Sequence, residues 1–364
     1  MNAAERANQR NAVLAGFLGW TLDAFDFFVL TFVVQDVATA FGRSRADIAW
    51  TVGLALITRP IGAFVFGLIA DRYGRRLPLM LNVIFYAVIS VLCGLAPNYG
   101  TFVALRLLFG IGMGGEWGVG ASLALESASP RLRGLLSGLL QEGYALGNLL
   151  AALAFGAVYV PVHATHPEYA WRVMFFLGGA PALLSLFIRA RVKESEAWHE
   201  HRVDWNTYRN SIWKHWPRFL YLVLLMTMMA FMSHGTQDMY PTFLQHERQY
   251  SPGDTAKLTM ITNVGAILGG LAFGWYSDRS GRRRAMITSA LFAMLVVPLW
   301  VAAPNTALIA VGGFLIQFFV QGCWGVIPAH LNEISPAEAR GTFPGTVYQL
   351  GNFGTASKRL GTNK

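Results

Sequence analysis

Long apolar stretches alternate with short polar ones along this chain. Ten stretches are almost free of charge, at roughly 12–35, 48–70, 77–96, 101–125, 134–160, 171–189, 218–244, 257–276, 285–303 and 306–331. Most approach the ~20 residues that a helix needs to cross a bilayer. Hydrocarbon offers no water to backbone N–H and C=O groups, so each must pair internally. A barrel would show alternating ~10-residue segments instead. The pattern predicts transmembrane helices and an all-α membrane protein.

The stretches also repeat. Gly67-Leu-Ile-Ala-Asp71-Arg72-Tyr-Gly74-Arg75-Arg76 returns 207 positions later as Gly274-Trp-Tyr-Ser-Asp278-Arg279-Ser-Gly281-Arg282-Arg283. The same offset pairs Gly115 with Gly322, Trp117 with Trp324, Glu126 with Glu333, Arg133 with Arg340 and Gly134 with Gly341. Two copies at one spacing, each between apolar runs, predict a duplicated helical unit, the architecture of secondary transporters. The expected organisation is an N-terminal six-helix half (1–190), a central loop (191–217) and a C-terminal half (218–364). Four tryptophans in or beside that loop (Trp198, Trp205, Trp213, Trp216) predict an amphipathic stretch on the membrane surface.

Charge sharpens the picture. Only 13% of residues are charged against 54% hydrophobic, where soluble domains carry about 25% charge. The net charge of +9 invites a nucleic-acid reading, but its placement opposes one. With the N-terminus cytoplasmic, nineteen of the 29 Lys and Arg fall on the inner side and five on the outer, which sets orientation by the positive-inside rule. The expected location is the cytoplasmic (inner) membrane. The first apolar stretch holds Asp23 and Asp26 and continues as a full span, unlike a cleavable signal. Cys93 and Cys323 lie inside apolar runs and read as packing residues.

Carrying the offset forward predicts an eleventh span near 341–367 and a twelfth near 378–396. The eleventh begins well: Tyr348-Gln349-Leu-Gly351-Asn352 echoes Tyr144-Ala-Leu-Gly147-Asn148, at offset 204, so the register slips locally. Then Thr355-Ala-Ser-Lys358-Arg359 replaces apolar helix, and each charge would cost about 2.5–3.5 kcal/mol at a helix centre. The expectation is a chain truncated within its eleventh helix, with ten complete spans of twelve.

Several motifs carry a family resemblance. The Gly67-x-x-x-Asp71-Arg-x-Gly74-Arg-Arg loop resembles the loop signature of the major facilitator superfamily. Arg106-Leu-Leu-Phe-Gly110 resembles its fourth-helix motif, and Glu126-Ser-Ala-Ser-Pro130-Arg131 the motif after that helix. More narrowly, Trp20-Thr-Leu-Asp23-Ala-Phe-Asp26 and Ser233-His234-Gly-Thr-Gln237-Asp238-Met-Tyr240 resemble the lactate/pyruvate:proton symporters of the sialate:proton symporter group. The resemblance runs to about Asn352 and implies a two-half, pseudo-two-fold helical bundle.

The repeat separates scaffold from site. A device that both halves need should occur twice; one serving a single asymmetric substrate should occur once. The doubled set is Asp71, Arg72, Arg75, Glu126 and Arg133 with Asp278, Arg279, Glu333 and Arg340. It reads as a cytoplasmic gate of ion pairs, helped by family analogy. The unpaired set includes Arg59, whose mate is Ala266. A cation at mid-bilayer is a functional candidate by default, and a guanidinium fork matches a carboxylate. In the resembled permeases the arginine at this place serves substrate recognition.

His234 and Asp238 lie four apart, on one helical face, and their mates Phe27 and Thr31 cannot titrate. Asp23 and Asp26 lie three apart. Glu116 and Glu142 are further intraspan acids. These groups are candidates for proton coupling, although for Glu116 and Glu142 pairing with Arg106 or Arg59 is an equal alternative. By resemblance, His234, Gln237, Gln349 and Asn352 join Arg59 as substrate-binding candidates.

The expected function is proton-coupled symport of a small monocarboxylate, lactate or pyruvate class, by alternating access. The alternatives are sialic acid, an aromatic acid or another organic anion as cargo, or an inactive truncated remnant. The expected partners are substrate, protons and lipid, without nucleic acid. The Gly110-Ile-Gly112-Met-Gly114-Gly115 run follows no strand and reads as close helix packing, not as a phosphate loop. No nucleophile–base pair or metal-ligand spacing stands out, so neither an enzyme nor a cofactor is expected.

Overall fold

The computed structural model describes residues 3–201, 203–237 and 240–361. Among these, α1 (Ala3–Phe41), α2 (Arg45–Tyr73), α3 (Arg76–Leu95), α4 (Tyr99–Glu126) and α5 (Arg133–Ala154) come first. A π-helical turn (Phe155–Tyr159), α6 (Val160–Thr165), α7 (Pro167–Leu177) and α8 (Ala182–Arg191) follow. The central segment forms α9 (Glu196–Glu200) and α10 (Trp205–Lys214). Then come α11 (Trp216–Gln237), α12 (Tyr240–His246), α13 (Pro252–Ser280), α14 (Arg282–Ala302), α15 (Thr306–Ile334), a 3₁₀ turn (Ala337–Ala339) and α16 (Phe343–Gly361).

Ten helical stretches among the described residues are long and apolar enough to cross a membrane, matching the ten apolar runs of the sequence. The fifth and sixth are not simple rods. Pro161 has no N–H to give the carbonyl four residues earlier, and the π-turn just before it absorbs the break. Pro181 does the same after Gly178-Gly179, splitting the sixth span into α7 and α8.

Burial is inverted relative to a water-soluble protein. On α3, Leu77, Leu81, Ile84, Val88 and Leu92 recur at helical spacing on an exposed face. The opposite face buries Asn82, Tyr86, Ser90 and Cys93. An apolar outer face with polar groups inside is what a hydrocarbon solvent favours. The chain is a multi-pass integral membrane protein. Cys93 and Cys323 are buried free thiols.

The chain divides into two compact units. The first comprises 1–127, 143–223 and 335–364; the second comprises 128–142 and 224–334. Each unit therefore draws on both copies of the sequence repeat. In the first, α4 packs against α1, α2, α3 and α16, over a core that includes Phe102, Phe109, Trp171 and Phe175. In the second, α15 packs against α13 and α14, and a smaller cluster forms around Tyr240, Leu258 and Ile309. Gly114 decides one approach: a Cβ there would strike the backbone of Arg59. Glycine lets α4 close on α2 at the height of that arginine.

Candidate functional site

The doubled loops build two related constructions. Gly74 ends α2 with φ of 100°, a conformation that glycine adopts without steric penalty. The turn brings Arg75 back onto Asp71, with Nη1 3.1 Å from Oδ1, while Nη2 lies 3.0 Å from Oε1 of Glu126. Asp71 in turn accepts hydrogen bonds from the backbone N–H groups of Gly341 (2.6 Å) and Thr342 (2.9 Å). Those N–H groups lie just ahead of α16, where helical partners are lacking and the dipole favours an anion.

The second unit repeats the construction at +207. Asp278 accepts from the N–H groups of Gly134 (2.7 Å) and Leu135 (3.1 Å) at the start of α5. Arg282 joins Asp278 (2.8 Å) to Glu333 (2.9 Å).

The two copies differ in depth. Side-chain exposure is 2% for Asp71 and 3% for Glu126, against 6% for Asp278 and 33% for Glu333. The carboxylate of the first copy also accepts from the hydroxyls of Thr342 (2.7 Å) and Tyr208 (3.2 Å), whereas the mate of Thr342 in the second copy is Leu135, which has no hydroxyl.

The central segment clamps the same place. Trp198 Nε1 donates to the carbonyl of Asp71 (2.8 Å), so this tryptophan turns inward, while Trp205, Trp213 and Trp216 stay exposed. The Glu194 carboxylate accepts from the N–H groups of Arg75 (2.8 Å) and Arg76 (3.1 Å), capping α3. Burial alone would lower the pKa of Arg75. The carboxylates of Glu126, Asp71 and Glu194 outweigh it and hold the pKa above its ordinary value.

Of the other arginines assigned to the gate by sequence, Arg72 and Arg279 are exposed, the latter over the Trp275 ring. Arg133 and Arg340 are half-buried, and Arg340 gives its carbonyl to Ser122 Oγ (2.6 Å). Arg282 was legible as the mate of Arg75. The backbone N–H partners left no trace in residue identity.

A second cluster lies wholly inside the first unit. Asp23 and Asp26 on α1, Arg106 and Glu116 on α4 are 0% exposed, and Arg59 on α2 is 7% exposed. No carboxylate oxygen of the three acids has a hydrogen-bond partner among the described residues, nor has any guanidinium nitrogen of Arg106 or Nε of Arg59. Asp23 has both arginines as electrostatic neighbours, Asp26 has Asp23 and Arg106, and Glu116 has Asp23. Arg59 Nη2 faces Met113 Sδ, and its guanidinium lies over the Phe27 ring. Arg106 lies over Phe109. Three acids face two arginines, so the fully ionised set carries one excess negative charge. Uncompensated charge in low dielectric is expensive, and one bound proton makes the set neutral.

Rings surround Arg59. Phe27, Phe28, Tyr144, Trp20, Tyr348 and Trp117 follow one another with centroid separations of 5.4, 5.1, 5.6, 6.5 and 3.8 Å. Gln349 is buried with an unpartnered Nε2. Asn352 is half-buried and donates to the Tyr348 carbonyl (3.1 Å). Sequence reasoning named neither Trp20, Tyr144 nor Tyr348 as site residues, although Trp20 lacks an aromatic mate at 207.

The remaining candidates belong to the second unit. His234 is half-buried near the end of α11, and Gln237 Oε1 accepts from Gln321 Nε2 (3.0 Å). Gln317 Nε2 donates to Thr236 Oγ1 (3.0 Å). These glutamines of α15 were missed, yet their mates are Gly110 and Gly114, so the same rule of the missing mate would have found them. Asp238 lies outside the described residues. Glu142 also belongs to the second unit, its carboxylate against Gly270 of α13. It therefore does not join the cluster of Asp23, Asp26 and Glu116.

The profile of the Major Facilitator Superfamily matches residues 16–357. The chain is 30% identical over 369 residues to a carboxylic acid transporter protein homolog of Saccharomyces cerevisiae, covering 95% of this chain and 60% of that protein. It thus spans less than two thirds of that relative's length. It is 33% identical over 350 residues to a probable 4-methylmuconolactone transporter of Cupriavidus pinatubonensis (94% of this chain, 80% of that one). It is 29% identical over 350 residues to the sialic acid transporter NanX of Escherichia coli (95% and 84%). In fold it is similar to the proton:xylose symporter XylE, with TM-score 0.73 at 20% identity over 99% of this chain and 90% of that one. The human organic anion transporter MFSD10 gives TM-score 0.73 at 18% identity, over 97% and 92%.

Proposed function

This chain belongs to the Major Facilitator Superfamily, and from that premise we propose that it is a secondary transporter carrying a small monocarboxylate, of the lactate/pyruvate class, together with protons by alternating access. The observation that carries the reading is Arg59. It is a buried guanidinium whose Nε lacks a partner, among acids that make no hydrogen bond to it. A carboxylate on that fork satisfies donors that the fold leaves open. The names of the three relatives, which concern carboxylic acids, a lactone and sialic acid, support an organic acid as cargo.

Protons enter through the charge inventory. With three acids against two arginines, substrate binding adds a negative charge to a site already in excess. Protons on two of Glu116, Asp23 and Asp26 neutralise the loaded site, which then crosses the low-dielectric region. Asp238 with His234 is the proposed second protonation point, Gln237 the polar group beside it, and Glu142 a further acid of that kind. Gln349 and Asn352 serve the substrate from α16. The Asp71 and Asp278 constructions act as the gate on the inner side, with Arg72, Arg133, Arg279 and Arg340 in its rim. The asymmetry of basic loops supports insertion in the cytoplasmic membrane with the N-terminus inside.

The test is uptake of labelled lactate and pyruvate by cells expressing the chain, with and without a protonophore. Accumulation that collapses with the proton gradient is expected; accumulation indifferent to it excludes symport.

A further inference from the structure

The arc of rings around Arg59 calls for its own explanation. Its rings come from α1, α4, α16 and the part of α5 that belongs to the first unit. One end sits under the guanidinium at Phe27, with 5.1 Å from Cζ to the ring centroid. Tyr144 and Tyr348, farther along, are electrostatic neighbours of the same guanidinium. The arc therefore curls around the carboxylate fork.

Ordinary core packing is the competing account, and two observations oppose it. First, the arc is laced with buried donors that packing alone does not need. Among the described residues, Trp20 Nε1 and Arg59 Nε lack acceptors, as does the buried Nε2 of Gln349, the residue after Tyr348, and burying such donors unmet costs free energy. Second, scaffold common to both halves should be doubled. Trp117 has its mate in Trp324, and Tyr144 and Tyr348 echo one another across the local shift of register, but Phe27, Phe28 and Trp20 correspond to His234, Gly235 and Thr227. Three of the six rings, including the one under the guanidinium, belong to one half only, as expected for a feature serving an asymmetric ligand.

Aromatic faces reward a flat partner, which stacks or meets them edge-on. A tetrahedral carbon offers no such face. The unmet donors beyond the fork ask for an acceptor on the ligand body. We infer that the Arg59 site selects a carboxylate carried on a flat conjugated body that bears a second acceptor, such as a heteroaryl acid, over a tetrahedral hydroxy acid such as lactate. This inference rests on the carboxylate reading of Arg59 given above, but it replaces the lactate/pyruvate class proposed there with flat conjugated acids.

The experiment is equilibrium binding to the purified full chain in detergent, with labelled nicotinate and labelled lactate run separately. Each is competed by unlabelled nicotinate, benzoate, pyruvate and lactate. The flat ring acids are expected to compete at concentrations at least tenfold below lactate, with nicotinate ahead of benzoate because of its ring nitrogen. Tyr144→Leu and Tyr348→Leu should shrink the nicotinate-to-lactate ratio several-fold, mainly by weakening nicotinate, whereas Tyr348→Phe should keep most of it. The ranking in the unaltered chain needs no variant to fold. Lactate competing as well as nicotinate or better overturns the inference and leaves the carboxylate site standing. Absence of binding by either acid overturns both readings together.

Discussion

Asp71 accepts a 2.6 Å hydrogen bond from the backbone N–H of Gly341, 270 positions along the chain. The repeat mates Asp278 and Gly134 reproduce it at 2.7 Å. A carboxylate from the end of one span thus caps the start of a helix from the other sequence repeat, twice. Each carboxylate is further tied to an arginine four residues on. The first copy is deeper and gains hydroxyls from Thr342 and Tyr208.

That difference predicts unequal mutants. Asp71→Asn removes a buried charge and leaves Arg75 with Glu126 as its one ion-pair partner among the described residues, which should cost about 3 kcal/mol, the usual loss when one partner of a buried pair is removed. Asp278→Asn should cost clearly less, since Glu333 is a third exposed and solvent screens the pair. Thermal unfolding of both variants in the same detergent checks this; equal losses would remove the distinction.

Arg59→Lys keeps the charge and loses the planar fork. Substrate KM should rise about tenfold, in line with one lost bidentate contact of ~1.4 kcal/mol, with a smaller change in kcat. Uptake kinetics with wild-type affinity would take Arg59 out of the binding site.

Glu116→Gln makes one acid of the buried set permanently neutral. Uphill accumulation driven by a pH gradient should fall at least tenfold while substrate counterflow persists. If both fall together, the residue shapes the helix packing against Gly19 instead of carrying a proton.

Outside the membrane, Glu338 predicts a pH effect. Burial raises its pKa, but a Ser211 hydrogen bond and nearby His215 and His201 outweigh this and hold it below the ordinary 4.5. A depressed carboxylate contributes stability that is present above the unfolded pKa and is lost as pH falls through the lower folded value. Its hold on α10 should therefore persist at pH 6 and weaken below about pH 4. Limited proteolysis of the central segment across this range measures it. Glu338→Gln should flatten that acid dependence, and an unchanged profile would assign it to another group.

Spans, repeat and helical class were legible in the chain because each is a one-dimensional signal. Hydrocarbon imposes a fixed length of apolar residues, and duplication imposes a fixed offset. Arg59, Asp23 and Asp26 were legible as chemistry for the same reason: a charge inside an apolar run is conspicuous wherever it points. The rule of the missing mate reached further than its first use, since it also marks Trp20, Gln317 and Gln321.

Partnership was decided only in three dimensions. Asp71 and Asp278 take backbone N–H groups as partners, and a backbone donor carries no residue identity to read. Trp198 resembles its three neighbouring tryptophans in sequence, yet it alone of the four is buried, because it meets the carbonyl that ends α2. Glu116 and Glu142 are equivalent as intraspan acids, but they fall in different compact units, and only Glu116 has Asp23 as an electrostatic neighbour. Composition determines how much charge a membrane helix must hide; the packing of α1, α2 and α4 decides which charges hide together.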